Sequence, residues 1–187
     1  MPVFPILQTF PPGSGGGVTL SGGEPLMQAE FSRELFAALK PEGIHTALDT
    51  CLAVPRERVD AVLPVTDMFL VDFKHADPAE HRKLTGRSNE EICSNLRHLS
   101  ERGARIEIRI PLTPGCNDSP ENLEATGAFV SSLDIESVRL LAYHDQAATK
   151  YAALGKKYAM PNVVPPDADK LAVAAKILRS YGLRVVV

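Results

Sequence analysis

Arg105-Ile106-Glu107-Ile108-Arg109-Ile110-Pro111-Leu112 is the stretch that decides the fold. Isoleucine takes every second position and charged residues fill those between, the period-two pattern of a strand with one buried and one wet face. By parity, Arg109 points to the side opposite Ile108 and Ile110. Downstream, Ser119-Pro120 is a helix start, a capping hydroxyl followed by proline at the first helical position. That helix is expected to bury Leu123, Val130 and Leu133. Val138 to Tyr143 reads as the next strand, Asp167 to Tyr181 as a helix and Leu183 to Val187 as a final strand. Upstream, Asn89 reads as the cap of a helix carrying Ile92, Leu96 and Leu99, with Gly103 past its end. Met68-Phe69-Leu70-Val71 reads as a strand buried on both faces, ending in Asp72-Phe73-Lys74. Further back come a short helix near Pro55 to Leu63 and the alternating strand Ile44 to Thr50. A helix from Leu26 to Lys40 carries Phe31, Leu35 and Leu39 and is stopped by Pro41 and Gly43. Val18 to Ser21 is the first strand, followed by the turn Gly22-Gly23-Glu24-Pro25. Residues 1–15 hold Pro2, Pro5, Pro11 and Pro12 and read as an irregular segment.

Strands alternate with helices throughout, which implies an α/β protein with a parallel sheet and right-handed crossovers, either a barrel or a doubly wound sheet. Residues 16–187 read as one domain. The 187 residues are 44% hydrophobic and 23% charged, ordinary for a globular chain and unlike a disordered one. A net charge of −3 gives no broad basic footprint for nucleic acid, and no apolar run is long enough for a membrane span. Cys51, Cys93 and Cys116 are odd in number and scattered, which excludes a disulfide framework and points to reduced thiols in a cytoplasmic protein. They form no CxxxCxxC spacing.

Parallel α/β folds place their chemistry at the carboxyl ends of the strands. Those ends carry Ser21-Gly22-Gly23-Glu24, then Asp49-Thr50, then Asp72 and Lys74, with Arg109 on the fourth strand and Tyr143-His144 on the fifth. Their common position on one rim suggests a polar pocket for a zwitterionic or multiply charged ligand. Each also fits a plainer reading: Gly22-Gly23 as a tight turn, Asp49 as a helix cap, Asp72 and Lys74 as a solvated pair, His144 as a structural histidine. His45, His75, His81 and His98 show no metal-ligand spacing and read as structural.

Gly15-Gly16-Gly17-Val18-Thr19-Leu20-Ser21-Gly22-Gly23-Glu24-Pro25-Leu26 resembles the glycine-rich segment of the glycyl radical enzyme activating enzymes, radical S-adenosylmethionine enzymes typified by pyruvate formate-lyase activase. The resemblance continues in order. It runs through Gly43 to Cys51, Asp72-Phe73-Lys74, His81, Thr85-Gly86 and Asn89. It goes on through Ile108 to Leu112, Pro114-Gly115, Asn117-Asp118, Tyr143-His144, Lys150-Tyr151 and Leu154-Gly155. It covers residues 16–187. Ala142, Ala147 and Leu52 depart from it; Leu52 stands where the family usually has glycine.

The resemblance implies a partial (β/α) barrel of the radical SAM type, with the family's first strand missing and an open sheet edge in its place. It implies that Gly22, Gly23 and Glu24 meet the amino group of S-adenosylmethionine, with Ser21 in the same segment. Asp49, Asp72, Lys74 and His144 would line the cofactor and target-peptide pocket, with Lys74 and His144 nearest the chemistry. Asp49, Thr50 and Asp72 would offer oxygens to a monovalent cation. Arg109, facing the lumen, would hold a carboxylate. The implied reaction is reductive cleavage of S-adenosylmethionine by a [4Fe-4S] cluster, giving a 5′-deoxyadenosyl radical. That radical takes a hydrogen atom from a backbone glycine of a partner such as formate C-acetyltransferase, with flavodoxin or ferredoxin as reductant. The family's CxxxCxxC cluster motif is absent, so this chain is expected to be inactive in that reaction as it stands. Two other readings follow from the same residues: a non-catalytic module retaining an S-adenosylmethionine pocket, and a Schiff-base lyase using Lys74.

Overall fold

The computed structural model describes residues 16–143, 155 and 163–187. Strands and helices follow in the order β1 (Gly17–Leu20), α1 (Ala29–Leu39), β2 (His45–Thr50), α2 (Arg56–Val62), β3 (Met68–Asp72), α3 (Pro78–Thr85), α4 (Glu90–Glu101) and β4 (Ile106–Leu112). They continue with α5 (Pro120–Val130), β5 (Ser137–Ala142), α6 (Ala168–Ser180) and β6 (Val185–Val186). All pairings are parallel, and the strands lie side by side in chain order, β1 to β6. This order settles the choice left open by the sequence. A doubly wound sheet reverses direction at a switch point. Here every right-handed crossover advances the same way, so the helices gather on one face and the other face is left concave, as in part of a barrel.

The side chains divide accordingly. Leu48, Phe69, Val71, Ile106, Ile108, Ile110, Leu112, Val138 and Leu140 lie under the helices and form the core. The residues between them, including Asp49, Leu70, Asp72, Glu107, Arg109 and Arg139, face the concavity. The reading of Met68 to Val71 as buried on both faces is therefore corrected: Phe69 and Val71 are buried, whereas Met68 and Leu70 are only partly covered on the concave side.

Three helical details also differ from expectation. In α1 the buried positions are Ser32 and Phe36, while Phe31 is 51% exposed. Ser32 is tolerated inside because its hydroxyl donates to the Pro25 carbonyl, 3.1 Å away. Asn89 precedes α4 but makes no side-chain cap bond; its carboxamide donates instead to the carbonyls of His75 and Ala76, at 2.9 and 2.8 Å. Leu133 lies beyond the end of α5, which buries Leu123 and Val130. Helix α3 has no apolar stripe to betray it, since His81 is its one buried residue. It is instead defined by its ends: Asp77 accepts from the amides of Ala79 and Glu80, Pro78 opens the helix and Gly86 closes it at φ 85°. No helix among the described residues is long and apolar enough to cross a membrane.

Candidate functional site

The carboxyl ends of β1 to β4 converge on a cavity of about 360 Å³, lined by Ser21, Gly22, Gly23, Glu24, Asp49, Thr50, Cys51, Asp72, Lys74 and Arg109. Nine of the eleven residues expected at the rim from sequence are thus brought together, and Cys51 joins them; Tyr143 is not in the lining. His144 lies outside the described residues. Cys51 was missed as a lining residue, although its place directly after Asp49-Thr50 was a signal for it.

Arg109 is the hub. Its guanidinium donates to Asp72 Oδ1 through Nε and Nη2, at 3.0 and 2.8 Å, and makes a short contact with Asp49 Oδ1. Ser21 donates to the other Asp49 oxygen at 2.7 Å, and Lys74 Nζ lies 3.5 Å from Asp72 Oδ2. The strand register makes this arrangement: Asp72 sits directly beside Arg109, and Asp49 sits one strand further over. Burial alone would lower the Arg109 pKa, but the charges of Asp72 and Asp49 outweigh it and hold the group above its ordinary value. Arg109 bridges the two aspartates. The Thr50 hydroxyl turns the other way, donating to Glu24 at 2.7 Å and accepting from the Leu52 amide at 3.0 Å.

Glu24 is a second hub. One oxygen accepts from the Leu26 amide and the Thr50 hydroxyl, the other from the Cys51 amide and the Cys51 thiol, at 3.1, 2.7, 2.9 and 3.1 Å. The carboxylate therefore caps the helical turn after Pro25 and ties the glycine turn to the end of β2. Burial, helped by the neighbouring carboxylate, pushes the Cys51 thiol above its ordinary pKa. Gly22 and Gly23 need their identity for conformation: their φ angles are 90° and 31°, and a Cβ on either would meet only open space. The segment after β2 carries strain of its own, where Leu52, fully buried, stands at φ 56° in the left-handed region that favours glycine.

One row deeper in the concavity, Glu107 accepts from Arg139 at 2.8 and 3.1 Å and from Ser137 at 3.1 Å. Burial raises the Glu107 pKa, but these partners outweigh it and hold the carboxyl below the usual range.

The rim thus offers carboxylates to a cationic group, cations to an anionic group and exposed turn backbone to both. That set fits the ammonium, sulfonium and carboxylate of S-adenosylmethionine. It does not extend to an iron–sulfur cluster. Cys51 lies at the rim, Cys93 on α4 and Cys116 in the loop after β4, and no group of three or more His, Cys, Asp or Glu among the described residues could hold a metal ion.

The parallel sheet, the one-sided helical layer and the glycine-flanked polar rim define a protein of the radical SAM type. The sequence profile of the Radical SAM superfamily matches residues 6–126, and the chain belongs to that superfamily. Within it, the similar proteins are activating enzymes of glycyl radical enzymes. The pyruvate formate-lyase 1-activating enzyme of Escherichia coli is 37% identical over 92% of this chain and 72% of its own length. The (2S)-3-sulfopropanediol dehydratase activating enzyme of Klebsiella oxytoca is 45% identical over 80% of this chain, and the indoleacetate decarboxylase activating enzyme of Tractidigestivibacter scatoligenes 36% over 92%. The chain spans about half the length of these last two, 48% and 55%. A crystal structure of a domain of pyruvate-formate lyase-activating enzyme from Bacteroides vulgatus superposes with a TM-score of 0.77 at 32% identity, covering 91% of this chain and 98% of that one.

Proposed function

We propose that the chain is the S-adenosylmethionine-holding part of a glycyl radical enzyme activase acting on a partner of the pyruvate formate-lyase type. The observation that carries this reading is the rim pocket, where both signs of charge surround the Gly22-Gly23 turn at the carboxyl edge of the sheet. In this reading, the backbone of that turn and the carboxylates of Asp49 and Asp72 receive the cationic end of the cofactor. Lys74 and Arg109 receive its carboxylate, Arg109 exchanging one aspartate partner for the ligand. His144 is assigned to the chemistry at the target glycine on the family resemblance alone. The sequence holds no CxxxCxxC motif, so the chain of 187 residues binds the cofactor without cleaving it. Residues 16–187 act as one domain, since β1 to β6 form one continuous sheet.

Titration calorimetry with S-adenosylmethionine tests the reading. Saturable heat is expected from the unaltered chain and its loss from Arg109→Ala. No heat at millimolar ligand would refute it. A Schiff-base lyase is less well supported, because Lys74 is paired with Asp72 rather than standing apart in an apolar pocket.

A further inference from the structure

We propose that Asn117, which lies outside the rim pocket, is a positioning residue for it: its buried carboxamide sets the distance between the ends of β3 and β4 and thereby places Lys74 and Asp72 against Arg109. The argument starts from the ladder. Phe73 donates its amide to the Arg109 carbonyl at 2.9 Å. The next bond of a parallel ladder would be donated by residue 111, which is proline and has no N–H. Regular pairing of β3 with β4 therefore stops at the level of Asp72 and Arg109, the residues that make the pocket.

Asn117 supplies what the backbone cannot. Its Nδ2 donates to the carbonyls of Lys74 and Pro111, at 2.9 and 3.0 Å, and so bridges the two strand ends. Its Oδ1 accepts from the Thr113 amide at 2.7 Å, which fixes the carboxamide plane. The side chain is committed to these contacts, and the residue is 3% exposed. Two further buried asparagines extend the clamp. Asn122 donates to the Asn117 carbonyl at 2.7 Å and accepts from the Ala76 amide at 2.9 Å, and Asn89 holds the His75 and Ala76 carbonyls. The backbone from Lys74 to Ala76, which is neither strand nor helix, is thus held by side chains from the β4–α5 loop, from α5 and from the start of α4. None of these asparagines lines the pocket.

The test compares Asn117→Ala and Asn117→Asp with Val62→Ala in the full chain. Asn117→Asp keeps the acceptor for Thr113 and removes both donors. Val62 is fully buried at the end of α2 that leads toward β3, at the opposite end of the sheet from the rim, and serves as a control for general loss of stability. The ligand-free readout is the rate of Lys74 acylation by acetic anhydride, followed by mass spectrometry and normalised to the exposed Lys176 on α6. The second readout is calorimetric affinity for S-adenosylmethionine, which alone rests on the function proposed above. Both Asn117 variants are expected to raise Lys74 labelling about threefold and weaken the cofactor roughly tenfold beyond Val62→Ala. Labelling equal to that of the control would overturn the proposal. If the unaltered chain binds no S-adenosylmethionine, the proposed function fails, and the labelling readout still decides the role of Asn117.

Discussion

Replacing Glu24 with glutamine separates two tasks that one carboxylate could perform. In the ligand-free protein its oxygens already receive four donors, from Leu26, Thr50 and twice from Cys51. Glu24→Gln keeps one oxygen and turns an NH2 group on the other pair, so donor faces donor at either Cys51 or Leu26 and Thr50. Hydrogen bonds to a charged acceptor contribute about 1.5–3 kcal/mol when buried, and Glu24 is only partly buried, so losing two of them should cost roughly 2–3 kcal/mol. For a chain of this size, that loss corresponds to a fall in Tm of about 5–10 °C. The assay is thermal unfolding by circular dichroism without ligand, where a carboxylate reserved for the cofactor would leave Tm unchanged. A Tm within about 1 °C of the unaltered chain would refute the brace. Glu24→Asp, too short to span both β2 contacts, should fall between the two.

Other perturbations probe the frame around the site. Leu52→Gly relieves a left-handed leucine, worth about 1 kcal/mol, but empties a fully buried position, worth about 2–5 kcal/mol, so a net loss is expected in urea unfolding and a gain would refute the balance. Gly127→Ala improves helix propensity, yet its Cβ would come within 2.5 Å of the Tyr181 ring, so a loss of about 1–3 kcal/mol is expected, with rescue by Tyr181→Leu. The lowered pKa of Glu107 gives stability that is present above its unfolded value and lost as pH falls through its folded value. The deficit of Glu107→Gln should therefore be full at neutral pH and vanish in acid, and a pH-independent deficit would contradict the pairing with Arg139.

Much of this architecture was legible because its signals are local. The isoleucine alternation in β4 fixed both the strand and the direction of Arg109, and Ser119-Pro120 fixed the start of α5, where the Ser119 hydroxyl accepts from the Asn122 amide. The rim residues were legible because strand ends are a fixed address in a parallel sheet. What stayed hidden was cooperative. Helix α1 buries a serine, which an apolar count cannot see, because the carbonyl that satisfies it belongs to Pro25. Asn89 has the composition of a helix cap, but its side chain is claimed by backbone fourteen and thirteen positions earlier. The bridging of Asp49 and Asp72 by Arg109 depends on the register of three strands, and no single segment encodes it. Helix α3 was written in its punctuation alone.

The strand order has a consequence for how the protein comes apart. Each strand touches only its immediate predecessor and successor in the chain, so the sheet resembles a short linear array more than a closed globule. Such an array peels from its ends. Amide exchange should run as a gradient, fastest at β6, where two residues hold the pairing, and slowest at β3 and β4, which are flanked on both sides. The polar rim sits over β1 to β4, so unzipping at the β6 edge could proceed without disturbing the residues gathered around Arg109.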